Sequence, residues 1–205
     1  MSDSPTVGRR ERKKAATRQA IADAALELFL EHDFDRVSVR DIADRADVST
    51  TTLFAHFPSK EALVFDREAD VEAELISAIR ERPTGQSVVE ALRARALNSW
   101  VPIASDPRMS QFTALVDRTP ALREYAERMW RRHAGALGAV IAEELGREKD
   151  DLACSALARF VLELPTLAKG REDPRAAVET VFDLLIHGWR AQDDSEGGVT
   201  GSRDD

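Results

Sequence analysis

The sequence contains one cysteine, Cys154, among 205 residues, so it has no internal disulfide. Such sparse cysteine usage is typical of a cytoplasmic protein. Cysteine and histidine do not cluster at the spacing of a metal site, and no apolar run approaches the ~20 residues that a membrane-spanning helix needs. The polar and then basic first residues lack the apolar middle of a signal peptide. We therefore expect a cytoplasmic protein that uses no metal or other cofactor and has no membrane partner.

Catalytic motifs are also missing. No glycine-rich phosphate loop, nucleophile elbow or paired-carboxylate motif accompanies His133, Cys154 and the scattered acidic residues. No segment shows the alternating pattern of a β-strand, whereas apolar residues recur at helical spacing through most of the chain. With 43% hydrophobic and 32% charged residues, the composition is that of an ordinary globular protein. These features predict an all-α fold of about nine helices without enzymatic activity.

The stretch SVRDIADRADVSTTTLFAHFPSK, at residues 38–60, has the spacing of two short helices joined by a tight turn. Ser38 and Asp41 form a helix start signal. Ser49 can cap a second helix that ends near Phe57. This arrangement predicts a helix-turn-helix, whose second helix enters the major groove of DNA.

Short polar side chains occupy the outward positions of this second helix. Thr50, Thr51, Thr52 and His56 are predicted to face the major groove, where threonine methyls can meet thymine methyls. Arg40, near the start of the preceding helix, can reach a base edge or a phosphate. The sequence therefore predicts contacts with double-stranded DNA.

The segment VRDIADRADVSTTTLFAHFPSKEAL, with its F-x-x-K pattern, resembles the DNA-binding segment of tetracycline-repressor-type (TetR family) regulators. The resemblance covers roughly residues 12–65. Asp33 and Asp47 stand where the family usually has glycine at a helix end, a site that favours a left-handed backbone, which aspartate tolerates. Phe54 stands where a tyrosine commonly touches a phosphate. The resemblance implies a transcriptional regulator, here most simply a repressor.

Phosphate contacts are assigned to Ser38, Thr52 and Lys60, with backbone N–H groups at helix starts assisting. The complete set of predicted DNA-binding residues is Ser38, Arg40, Ser49, Thr50, Thr51, Thr52, Phe54, His56 and Lys60. A basic run precedes the motif, although the net charge of the chain is −8. It comprises Arg9, Arg10, Arg12, Lys13, Lys14 and Arg18. Such a run can be a solvated tail, but ahead of a helix-turn-helix we favour contact with phosphates or the minor groove, which salt weakens.

Composition and breaks divide the chain into five predicted parts. These are a flexible basic arm at 1–9, a DNA-binding domain at 10–58, a connecting helix at 59–82, a ligand-binding and dimerisation domain at 83–191, and a disordered tail at 192–205. Pro83-Thr84-Gly85 marks the main boundary, and Asp106-Pro107, Thr119-Pro120 and Asp173-Pro174 mark helix starts. Pro165 is expected to kink the eighth helix or unwind one turn of it.

Two apolar stripes near the end of the chain predict a homodimer. Two copies related by a twofold axis would recognise a palindromic operator with half-sites roughly 34–36 Å apart or a multiple of that distance. The family resemblance implies that the last two helices pair with their mates in a four-helix bundle. The alternative is that both stripes are intramolecular core. The predicted interface residues are Leu157, Val161, Leu164, Val178, Val181, Phe182 and Leu185.

The resemblance also implies a cavity for a small apolar or amphipathic effector, enclosed by the fourth to eighth helices. The candidate walls are Trp100, Phe112, Leu115, Met129, Trp130, His133 and Phe160. His133 would be a polar anchor for the ligand, or alternatively a hydrogen-bonded core histidine. Two further hypotheses stay open at this point: a DNA-binding protein that senses no ligand, and a redox-sensing regulator that uses Cys154.

Overall fold

The computed structural model describes residues 6–104 and 107–188, and their secondary structure is helical throughout. The α-helices are α1 (Thr6–Glu31), α2 (Val39–Arg45), α3 (Thr50–His56), α4 (Glu68–Arg80), α5 (Val88–Ala104), α6 (Pro107–Arg118), α7 (Pro120–Glu144), α8 (Leu152–Ala168) and α9 (Pro174–His187). Short 3₁₀ turns lie at Phe34–Arg36 and Glu61–Leu63. The predicted all-α class is confirmed. None of the described helices is long and apolar enough to cross a bilayer.

Local start signals predicted several of these elements correctly. Ser38 and Asp41 form a complete capping box at the start of α2. Ser49 caps α3, and Asp173 caps α9 immediately before its first proline. Asp47 adopts a left-handed backbone with φ 51° in the turn between α2 and α3, as the family resemblance implied. A cap needs only a few neighbouring residues, so these features could be recognised in the sequence.

Other boundaries differ from the predictions. Helix α1 begins at Thr6, so residues 6–9 are helical and not a flexible arm. Asp33 is extended, with φ −65° and ψ 144°, because it leads into the 3₁₀ turn and does not end a helix in a left-handed conformation. Helix α8 continues through Pro165 to Ala168. The proline falls in the last turn of α8, and the helix is not unwound there. The predicted tail at 192–205 lies outside the described residues.

The connecting helix is also shorter than the predicted segment 59–82. Only Glu68–Arg80 is α-helical. Before it, Ala62, Leu63 and Val64 are buried one after another. The chain forms a 3₁₀ turn here, and these three residues pack in the same core as the first three helices before α4 begins.

The molecule has two apolar cores. The first, the head core, joins α1, α2, α3 and the turn before α4, and its larger members are Ile21, Leu28, Phe29, Phe34, Val37, Ile42, Leu53, Phe57 and Leu63. The second, the body core, joins α4, α5, α7, α8 and α9, and includes Leu75, Ile79, Leu92, Trp100, Leu137, Ile141, Val161, Leu164 and Phe182.

The head core also takes in residues from the second half of the chain. Leu115 of α6 and Leu122 of α7 are fully buried in it. Phe65 lies edge-on to Phe112, with ring centroids 5.9 Å apart, and stacks on Tyr125 at 5.3 Å. The head is therefore attached to the body through α6 and α7 as well as through α4.

Candidate nucleic-acid interface

The first helix of the motif is held at its start by reciprocal hydrogen bonds. The Ser38 hydroxyl accepts from the Asp41 backbone N–H at 3.2 Å, and the Asp41 carboxylate accepts from the Ser38 N–H at 2.8 Å and from its hydroxyl at 2.7 Å. These bonds lower the pKa of Asp41. In the following turn, Val48 N–H donates to the Ala43 carbonyl at 3.0 Å. The capping box and the turn together set the angle at which α3 leaves α2.

Helix α3 has one buried side and one exposed side. Leu53 is fully buried in the head core, whereas Thr50, Thr51 and Phe54 are exposed. The Ser49 hydroxyl accepts from the Thr52 backbone N–H at 3.0 Å, and the two hydroxyls lie 2.8 Å apart. The predicted outward positions at the start of α3 are therefore brought together on one surface.

Arg40 and His56, which are predicted to contact DNA at the edges of this surface, differ in how exposed their side chains are. The Arg40 side chain is 85% exposed, and its ion pair with Asp44 spans 3.9 Å. An exposed pair of this length contributes little to stability, so Arg40 can turn toward DNA. His56 is half-buried, and burial, followed by the nearby Arg18 and Lys14, lowers its pKa. This lowered pKa favours the neutral imidazole.

Lys60 is not directed outward. Its ammonium donates to the Phe34 carbonyl and lies 4.1 Å from the centroid of the Phe34 ring. Burial lowers the pKa of this lysine. The predicted phosphate contact would need the ammonium to leave both partners, which the sequence could not reveal because Phe34 lies 26 residues away.

The basic run at the start of the chain divides into two parts. Its members from Arg9 to Lys14 are exposed on the first turns of α1. Arg18 is instead half-buried, and its guanidinium donates to the backbone carbonyls of His56 and Asp66. Arg18 is spaced three and seven residues from Ile21 and Ala25, on the buried face of α1, and that spacing is the signal that separates it from the run.

The seven predicted ligand-binding residues do not form one cavity. Leu115 and Phe112 pack in the head core, Trp100 packs in the body core, and Trp130 and Phe160 are exposed. Helical spacing identifies inward positions but not which of two cores they enter. The void beside Trp100 and Pro165 measures ≈ 10 Å³, which is at most the space of one water molecule.

Met129 and His133 are the two predicted wall residues that remain buried outside both core clusters. His133 is 3% exposed, and its Nδ1 lies 2.5 Å from a carboxylate oxygen of Glu72 on α4. Its Nε2 is buried and has no hydrogen-bond partner among the described residues. A buried polar atom without a partner is costly, so this position is a candidate for a ligand contact. Glu72 was not predicted.

The predicted dimer residues fall into two groups. Val161, Leu164, Val178 and Phe182 are at most 2% exposed within one chain, so they are body core and offer no surface to a second copy. Leu157, Val181 and Leu185 are half-buried against the same core. The exposed large apolar residues on α8 and α9 are Leu152, at the first position of α8, and Phe160, Leu167 and Ile186.

Cys154 is poorly suited to redox sensing. It is 2% exposed near the start of α8. Burial, together with the neighbouring Asp151, raises the pKa of its thiol. Both effects disfavour the reactive thiolate, which argues against the redox hypothesis.

Comparisons with known proteins agree with this geometry. A sequence profile for bacterial regulatory proteins of the tetR family matches residues 21–66, which include α2 and α3. The chain is 30% identical over 169 residues to the HTH-type transcriptional repressor KstR of Rhodococcus jostii (strain RHA1), covering 82% of this chain and 69% of that protein. It is 29% identical over 152 residues to the HTH-type transcriptional regulator TcmR of Streptomyces glaucescens, covering 70% and 67%.

A solved structure of a SmeT–triclosan complex shares the fold, with a TM-score of 0.57, 22% identity, and coverage of 93% of this chain and 99% of that one. The similarity therefore extends beyond the helix-turn-helix to the helical body.

Proposed function

Because the chain belongs to the tetR family of bacterial regulatory proteins, we propose that it represses transcription as a homodimer on a palindromic operator and is released by a small ligand. Like its relatives, it is a DNA-binding transcriptional regulator, and it is not an enzyme. The observation that carries the proposal is the two-sided α3, with Leu53 fully buried and Thr50 and Thr51 exposed beside it. A cytoplasmic location belongs to the same proposal.

In the proposed complex, α3 lies in the major groove. Thr50 and Thr51 contact base edges, and the exposed ring of Phe54 packs against the sugar-phosphate backbone. Arg40 and Ser38, at the start of α2, and Ser49 and Thr52, at the start of α3, bind phosphates. The exposed arginines and lysines of residues 9–14 add phosphate contacts from a helix, and they make binding fall steeply with salt.

The proposed dimer face differs from the predicted interface, because it uses exposed positions of α8 and α9 that lie beside the predicted residues. It is centred on Phe160 and Leu167 of α8 and Ile186 of α9, which are 48%, 45% and 41% exposed. Exposed apolar side chains that recur on adjacent helices favour a protein partner. A second copy of the chain would place two α3 helices on successive half-sites.

The proposed ligand site lies between the two cores, at Met129 and His133. The ligand named in the SmeT structure is triclosan, which supports a small organic effector for this protein. Methionine adapts to apolar groups of different shape, and the unpaired Nε2 of His133 would hydrogen-bond one polar group. Glu72 fixes the orientation of the imidazole from the opposite side. Binding requires the helices to separate here.

The proposed release follows from where the site lies. A ligand that separates α4 from α7 would pull on the two attachments of the head: the start of α4, and the α6–α7 residues Leu115 and Leu122 in the head core. The distance between the two α3 helices would then change. The ligand acts only if it binds the DNA-incompetent arrangement better, typically by ~1–3 kcal/mol.

The proposal is tested by selecting bound duplexes from a random DNA pool and measuring the mass of the complex by sedimentation. We expect an inverted repeat that carries two protomers, or a multiple of two. Small molecules are then screened for release of the protein from this DNA. The His133→Leu variant should keep its operator affinity but should no longer be released by the ligand. A single asymmetric site bound by one protomer would contradict the dimer.

A second candidate function is a DNA-binding protein without an effector. The small void beside Trp100 favours it, because a space of ≈ 10 Å³ does not accept a drug-sized molecule. If no compound releases the wild-type protein while the inverted repeat is recovered, this function replaces ligand release.

A further inference from the structure

Arg18 joins the recognition helix to the start of the connecting helix. From the middle of α1, its guanidinium donates to the His56 carbonyl at 2.7 Å and to the Asp66 carbonyl at 2.7 Å. Its Cζ lies 4.2 Å from the centroid of the Phe57 ring. His56 is the last residue of α3, and Asp66 lies two residues before α4. One side chain therefore touches both elements.

The chemistry of these contacts explains why the side chain is an arginine. The His56 carbonyl is one of the last carbonyls of α3, which have no partner within the helix and carry the negative end of its dipole. The Asp66 carbonyl lies in the chain segment that precedes α4. A planar guanidinium can donate to two carbonyls at once and stack on an aromatic ring. A lysine ammonium carries the same charge but lacks this fixed fork.

We propose that Arg18 is a positioning residue for DNA recognition: it sets the position of α3 relative to the start of α4, and it does not contact DNA phosphates. This goes beyond the proposed function, in which α4 and the α6–α7 contacts move the head as a whole. Any displacement of the α4 start is transmitted to the far end of α3 through two hydrogen bonds to one side chain.

The role predicts a distinct pattern of binding defects. A phosphate contact contributes to all DNA sequences alike, and its loss lowers the salt dependence by about one. A positioning residue affects the sequence-specific complex, in which α3 must fit the groove, much more than the non-specific complex. A residue that only stabilises the fold lowers thermal stability without changing the ratio of specific to non-specific affinity.

The test compares Arg18→Lys and Arg18→Gln with Arg10→Gln, which removes an exposed arginine from the same helix. Affinities for the selected operator and for a scrambled duplex of equal length are measured at several salt concentrations, alongside circular dichroism. Because hydrogen bonds to charged groups are individually strong, we expect both Arg18 variants to lose about ten-fold in the specific-to-scrambled ratio. For Arg18→Lys the salt slope should stay unchanged, whereas Arg10→Gln should lower the slope and keep the ratio.

Two results would overturn the proposal. One is an unchanged ratio of specific to scrambled affinity in both Arg18 variants. The other is a wild-type ratio in Arg18→Lys together with a lower salt slope for Arg18→Gln. A measurement on the wild-type protein covers the case of unfolded variants. In arginine-labelled protein, nuclear Overhauser contacts between the Arg18 guanidinium and the Phe57 ring should persist when the operator binds, and their loss would also reject the role.

Discussion

Phe160→Arg is expected to convert the proposed dimer into folded monomers. Phe160 is 48% exposed in one chain, and a phenylalanine can bury roughly 150–250 Å² in total, so about 100 Å² remains for a partner. At ~25 cal/mol per Å², this area contributes about 2.5 kcal/mol in each protomer. Twofold symmetry uses the residue twice. Losing it should therefore cost about 5 kcal/mol, which corresponds to at least 10³-fold in the dimer dissociation constant.

The assay is sedimentation velocity over a range of protein concentrations, with circular dichroism to verify folding. Val161→Arg is the matched control, because the neighbouring residue is fully buried within the chain. A charge placed there should unfold the monomer rather than dissociate a dimer. If Phe160→Arg sediments as a dimer at every concentration at which the wild-type protein does, the proposed face is wrong.

Three further predictions follow from the caps and the cysteine. Ser49→Ala should lower the unfolding free energy by ~1 kcal/mol in urea titrations, because the Thr52 N–H loses its acceptor, whereas Ser49→Gly should cost only a few tenths; equal losses would reject the cap. Hydrogen bonds from Ser38 lower the pKa of Asp41. Its contribution to stability is therefore complete above its unfolded pKa of about 3.9 and is lost as the pH falls through the lower folded value. Ser38→Ala should flatten this loss as the pH falls below about 4, and an equally steep loss would contradict the linkage. Cys154 should react with a thiol reagent only slowly until urea unfolds the chain; rapid labelling of the native protein would restore the redox hypothesis.

The features that the sequence revealed are those with local causes. The Ser38–Asp41 box, the left-handed Asp47 and the cap at Ser49 each depend on residues within a few positions of one another. The outward threonines follow from the cap and from the burial of Leu53. The helix-turn-helix could therefore be predicted in detail from the residues of one short segment.

The features that the sequence did not reveal depend on contacts between residues that are far apart in the chain. Phe160 and Val161 are neighbours in an apolar stripe, yet one is exposed and the other is core. Leu115 follows the helical spacing of the second half but packs in the head core. The carbonyl partners of Arg18 lie 38 and 48 residues away. Periodicity indicates that a side chain points inward, but not which neighbouring element it meets.

The central claim, that two α3 helices contact bases from the major groove, is tested most directly by removing thymine methyls. Each thymine of the selected operator is replaced in turn by deoxyuridine, and the affinity is measured for the wild-type protein and for Thr51→Ser, which lacks the threonine methyl. Losses should form two symmetric clusters about one helical turn apart, or a multiple of that distance. In Thr51→Ser, at least one symmetric pair of these thymine positions should no longer show a loss of affinity. An affinity that stays the same after removal of every thymine methyl would contradict the claim.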